Sequence, residues 1–198
     1  MKRTNKFFTT RTLTLGAVLT ALVVLLQFLG SFIHLGPFSI SLVLIPIVIG
    51  AATCGTAVAA WLGLVFGVVV LLSGDASPFL AIDVAGTIVT VLLKGLACGF
   101  AAGGAYNLLN KLKVNRYIAV VVAAVACPIA NTGVFLLGCR LFFWETIAAW
   151  AAGEGYANAV AYAFLGLAGA NFLFELAFNI ILSPVVVRLL NIREKQTL

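Results

Sequence analysis

The sequence predicts an all-α, polytopic membrane protein built as a bundle of six transmembrane helices. Three observations carry that expectation. Of 198 residues, 63% are hydrophobic and only 9% charged, against about 25% charged in an ordinary water-soluble domain. Apolar stretches of the length a bilayer requires, roughly 17 to 25 residues, recur along nearly the whole chain. The basic residues sit in the breaks between those stretches, where charge sets orientation.

Ten of the twelve lysines and arginines fall in three places: Lys2, Arg3, Lys6 and Arg11; Lys111, Lys113 and Arg116; and Arg188, Arg193 and Lys195. The positive-inside rule puts all three clusters on the cytoplasmic side. An even number of crossings independently returns the chain to the side on which it began. The expected organisation is one membrane domain over residues 1–198, with cytoplasmic tails at 1–11 and 191–198, in a bacterial cytoplasmic membrane. Basic residues dispersed this way report topology, and no basic patch points to nucleic acid.

The elements follow in order. Helix 1 is expected over Thr12 to His34. Its apolar core is too long for a cleavable signal peptide and lacks a small-x-small cleavage site; Gly36-Pro37 closes it. Helix 2 is short, about Ser39 to Cys54, with Pro46 inside it. Helix 3 follows almost at once, from Gly55 to Leu72, so the break between the two is tight. After an outer loop, Ser73 to Pro78, helix 4 extends from Phe79 to Leu109 and is long enough to tilt or project. Helix 5 covers Tyr117 to Leu137, and an outer segment from Gly138 to Ala157 carries Trp144 and Trp150. Helix 6 runs from Val160 to Leu190. No matched halves suggest an inverted repeat.

Polar groups at membrane depth are costly, so they are the places to look for function. Lys94 lies inside an apolar run and either snorkels to the headgroups or faces an acidic ligand or Glu175. Asn171, Glu175 and Asn179 recur at intervals of four and share one helix face; they either line a cavity or bond neighbouring helices. Pro128 removes a donor and frees the carbonyl of Ala124, bending helix 5 beside Asn131 and Thr132. Asp83 and His34 stand near the outer rim. Ala17 and Ala21 form an AxxxA pair, a pattern that permits close helix approach.

The four cysteines have no metal-ligand spacing and read as packing residues. With one histidine there is no metal site, and there is no HExxH, no GxSxG elbow and no Walker-type loop. No cofactor and no catalysis are expected. Any ATP used must be hydrolysed by a partner.

These residues together resemble the substrate-binding S-components of energy-coupling factor (ECF) vitamin importers. The resemblance rests on chain size, helix number, Ala17-x-x-x-Ala21, Ile45-Pro46-Ile47-Val48-Ile49-Gly50-Ala51, Asn131-Thr132, and Asn171 and Glu175 followed by Ser183-Pro184. It implies a protein that takes a water-soluble vitamin or precursor into an outer pocket, and then works with a transmembrane coupling subunit and two ATPases. Ala17 and Ala21 would contact the coupling subunit. Asn131, Asn171, Glu175, Lys94, Asp83 and His34 would contact substrate. The pattern is nearest to pantothenate transporters; folate, riboflavin, pyridoxine and hydroxymethylpyrimidine are the other candidates. A stand-alone ion-coupled transporter using Glu175 as its proton site is the alternative.

Overall fold

The computed structural model of the chain describes residues 10–32, 34–35, 38–39 and 42–195, with side chains described for 10–32 and 42–192. The elements are α1 (Thr10–Gly30), β1 (His34–Leu35), β2 (Phe38–Ser39), α2 (Leu44–Cys54), α3 (Thr56–Leu72), α4 (Ser77–Leu80), α5 (Val84–Lys111), α6 (Arg116–Phe142), α7 (Trp144–Gly153), α8 (Ala159–Ala161) and α9 (Ala170–Lys195). A π-helical segment, Tyr162–Gly169, joins α8 to α9. The fold is all-α apart from the two-residue β1–β2 ladder, in which His34 pairs with Ser39.

Four stretches are long and apolar enough to cross a membrane: Thr10–Gly30, Val84–Lys111, Arg116–Phe142 and Ala159–Ile192. The apolar helices Leu44–Cys54 and Thr56–Leu72 are shorter. By rise per residue α2 is about 17 Å long and α3 about 26 Å, so α2 alone does not span a hydrocarbon core of about 30 Å. Large apolar side chains are exposed all around the bundle, among them Leu72, Leu141 and Ile181. A surface of that kind belongs against lipid.

Several boundaries differ from expectation. Helix 1 was expected to reach His34 but stops at Gly30, a residue of low helix propensity, and His34 lies in β1. Helix 4 does not begin at Phe79. Pro78 opens the single turn of α4, and Asp83, extended at φ −146° and ψ 106°, then resets the chain before α5. The outer segment between Gly138 and Ala157 is largely helical. There α7 buries Ile147 and Ala151, one turn apart, under its aromatic neighbours. The tight break between α2 and α3 is made by Gly55 at φ 94°, a backbone conformation that glycine adopts without cost.

The bundle is organised around α3 and α5, which run antiparallel at backbone contact. A Cβ on Gly63 would strike the carbonyl of Gly95, and one on Gly95 the carbonyl of Gly63; one on Gly67 would lie 2.8 Å from the Val91 oxygen, and one on Gly103 2.6 Å from Thr56 Cα. Gly63-x-x-x-Gly67 therefore faces Gly95-x-x-x-Gly99-x-x-x-Gly103. Small residues four apart are what lets two helices pack this closely where the surrounding lipid supplies no hydrophobic drive.

α6 packs antiparallel to α9. At the point where Pro128 deprives the Ala124 carbonyl of its helical donor, Asn179 Nδ2 of α9 donates to that oxygen at 3.3 Å. Farther along, Arg116 Nη1 donates to Asn191 Oδ1 at 3.3 Å. The bundle so has two distinct ends. Lys111, Lys113, Arg116 and Arg188 mark one; Gln27, Asp75, Phe79 and Thr90 mark the other.

Candidate functional site

At the end away from the basic belt lies a cavity walled by α1, the α3–α4 turn, α5, α6, the π-helical segment and α9. Its volume is about 90 Å³. At about 10–15 Å³ per water, that is room for about six to nine waters.

Each polar group reaches the cavity for a local reason. Asn131 and Thr132 follow Pro128 by about one turn on α6. Thr87, Thr90 and Lys94 lie on the same side of α5, spaced three and four residues apart. Asn171 and Glu175 share a face of α9 immediately after the π-helical segment, which itself supplies Leu167 and Ala168 to the wall. π-helical turns are uncommon and concentrate at functional sites; here the segment ends at Gly169, immediately before α9, which carries Asn171 and Glu175.

Gln27 of α1 is 1% exposed. Its Nε2 donates to Asp75 Oδ2 at 2.6 Å, and Ser73 Oγ donates to the same oxygen at 3.1 Å. The aromatic side is formed by Phe79, Phe135 and Phe143. Phe79 meets Phe135 edge-on with centroids 5.7 Å apart, lies 4.9 Å from Phe143, and touches Trp150 of α7 at 5.7 Å. Lys94 extends its ammonium over the rings of Phe66 and Phe135, at 5.5 and 5.6 Å, within cation–π range.

Four buried side-chain polar atoms lack a hydrogen-bond partner among the described residues: Gln27 Oε1, Thr90 Oγ1, Asn131 Oδ1 and Asn171 Oδ1. All four residues line this one cavity. A buried polar atom left unpaired costs about 1–3 kcal/mol. Water or a solute held in the cavity would complete their hydrogen bonding.

Of the residues singled out from sequence, Asn131, Asn171, Glu175 and Lys94 come together in the cavity wall. Asp83 does not. It occupies the N-cap of α5 with its carbonyl accepting from Thr87 Oγ1 at 2.6 Å, and the neighbouring space at Gly86 is filled by Phe142. The backbone of His34 is in β1, and its side chain lies outside the described residues. Ala17 and Ala21 are exposed on α1, along the face that carries Leu13 and Leu25. Asn179 points to α6 and not to the cavity.

Gln27 and Thr90 also line the cavity, and neither is among the residues singled out from sequence. Gln27 carried a usable signal, because it is the one long polar side chain in the apolar run Leu22 to Gly30. Among the described residues no cluster of histidine, cysteine, aspartate and glutamate has the arrangement of a metal site.

No curated protein matches the chain. The family model described as ECF transporter, substrate-specific component, matches residues 11–187. That span takes in α1 through most of α9 and every residue of the cavity wall. The family is one of transporters and not of enzymes, and its members work with a substrate and with membrane-embedded ECF partners. Apolar helices long enough to cross a bilayer and a family match over nearly the whole length agree: the chain is a multi-pass membrane protein and belongs to the ECF transporter substrate-specific components.

Proposed function

We propose that this chain is the high-affinity binding subunit of an ATP-driven importer for a water-soluble vitamin or vitamin precursor. It captures its solute in the cavity bounded by Gln27, Thr90, Lys94, Asn131, Asn171 and Glu175. The observation that carries this reading is the convergence of four unpartnered buried polar atoms on one cavity.

With the basic belt cytoplasmic, the cavity opens toward the outside and both termini lie on the cytoplasmic side of the cell membrane. This orientation requires α2 and α3, with the adjoining β1–β2 ladder, to complete six crossings. The exposed Ala17–Ala21 face of α1 then serves as the contact for a transmembrane coupling subunit, which links the chain to two ATPases. The chain itself catalyses nothing and holds no cofactor. Pantothenate is the first acid to test, because Lys94 gives the cavity a cation; pyridoxine, hydroxymethylpyrimidine, riboflavin and folate complete the set.

The test is direct binding to the purified chain. Trp150 contacts Phe79, a cavity residue, so a ligand that moves Phe79 changes tryptophan emission. At least one water-soluble vitamin or precursor is expected to bind at submicromolar concentration. Failure of the whole set to bind would overturn the reading.

A further inference from the structure

Resting on that reading of the cavity, we infer that Gln27 is a specificity-determining residue. Its Oε1 reads an O–H or N–H of the bound solute, and Asp75 is the positioning residue that keeps this oxygen turned to the ligand.

Gln27 reaches the cavity wall from α1 and Asp75 from the α3–α4 turn. One hydrogen bond joins them, from Gln27 Nε2 to Asp75 Oδ2 at 2.6 Å, and Ser73 Oγ donates to the same carboxylate oxygen at 3.1 Å. Which end of a glutamine amide faces which neighbour is decided by hydrogen-bond chemistry. A carboxylate only accepts, so the end that meets Asp75 is the nitrogen and the other end is the oxygen. Turning the amide over would set oxygen against oxygen at hydrogen-bond distance. The orientation is therefore locked, and the oxygen it leaves over is buried without a donor on a side chain only 1% exposed.

The other unpartnered oxygens of the wall impose a weaker condition. Thr90 Oγ1 belongs to a hydroxyl that rotates to donate or accept, and an asparagine amide turned over offers its NH2 in place of its oxygen. Gln27 has neither freedom while Asp75 holds it. The requirement concerns a donor and is independent of ligand charge. A carboxylic acid that also carries hydroxyl groups, as pantothenate does, meets it with Lys94 in the same wall. A solute that sets an apolar atom or an acceptor against Gln27 leaves Oε1 unpaired and should bind at least tenfold more weakly.

The experiment is titration calorimetry on the purified full-length chain and on Gln27→Met, a substitution that keeps the length of the side chain and removes both polar ends. The probes are the tightest binder among pantothenate, pyridoxine, hydroxymethylpyrimidine, riboflavin and folate, and analogues of that compound that each lack one hydroxyl or amine donor. One analogue is expected to bind the parent protein at least tenfold more weakly than the complete compound, whereas Gln27→Met should bind the two within about threefold of each other. If no single donor matters to the parent, or if Gln27→Met weakens the complete compound and every analogue by one common factor, the inference is overturned and the solute-binding reading stands. No binding of any compound to the parent overturns both.

Asp75→Asn supplies a second readout, which survives if Gln27→Met does not fold. The new amide keeps the shape of the side chain but both donates and accepts, so either end of Gln27 can face it. In protein shown to be folded by its thermal transition, the penalty for the missing donor should fall to about threefold or less. An unchanged penalty overturns the positioning role of Asp75.

Discussion

Asn179→Leu tests whether the contact between α6 and α9 is a repair of the proline break. The substitution keeps a side chain branched at Cγ and removes the Nδ2 donor that reaches the Ala124 carbonyl at 3.3 Å. That oxygen has no donor from its own helix, because the residue four positions on is Pro128. An orphaned buried acceptor costs about 1–3 kcal/mol, whereas interhelical hydrogen bonds within membranes average about 0.6 and reach about 1.7. A bond at the long end of the N–H···O range belongs in the overlap, so the expected loss is about 1 kcal/mol, or roughly 2–4 °C in midpoint. Pro128→Ala restores a backbone N–H aimed at the same carbonyl. In that background Asn179→Leu should cost close to nothing, giving a coupling of about 1 kcal/mol in a double-mutant cycle. The assay is thermal unfolding of the four proteins in one detergent, followed by tryptophan fluorescence. Equal costs of Asn179→Leu in the two backgrounds would refute the repair.

Gly95→Leu should cost about 3 kcal/mol, or roughly 6 to 12 °C in midpoint, because its Cβ meets the Gly63 carbonyl; Gly104→Leu, with open space around its Cα, should unfold as the parent does. Ala17→Trp or Ala21→Trp should abolish uptake in cells that express the coupling subunit and ATPases, while ligand titration of the purified variant stays unchanged. Asn131→Ala and Asn171→Ala should each weaken ligand binding about tenfold, as expected for loss of one buried hydrogen bond of about 1–1.5 kcal/mol, with an unfolding midpoint no lower than that of the parent.

What could be read from the chain, and what could not, divides along physical lines. Helices were legible because an uncharged run of bilayer length has few other fates, and the spacing of Asn171 and Glu175 put both on one face, where the cavity now finds them. The freed carbonyl of Ala124 was also legible, since proline chemistry is local; that Asn179 answers it was not, because the partner lies 55 residues away. Of the three polar residues that share that face of α9, Asn171 and Glu175 line the cavity and Asn179 bonds a neighbouring helix, so both uses of the face occur together. The π-helical segment changes the entry into α9, and nothing local in Tyr162–Gly169 announces it. Asp83 was expected near the outer rim; it stands at the N-cap of α5, outside the cavity wall. The glycine pattern of α3 and α5 was present in the spacing of Gly63, Gly67, Gly95, Gly99 and Gly103, and a comparison of the two helices for small residues four apart would have paired them.

On the proposed function, the cavity feeds an ATP-driven importer through partner subunits. The most direct measurement places the purified chain in proteoliposomes, alone or with a coupling subunit and two ATPases, and follows entry of the tightest-binding radiolabelled vitamin. Accumulation is expected only when the partners and ATP are both present, with no response to an imposed proton gradient. Accumulation by the chain alone, driven by that gradient and lost in Glu175→Gln, would contradict it and establish a self-sufficient ion-coupled transporter instead.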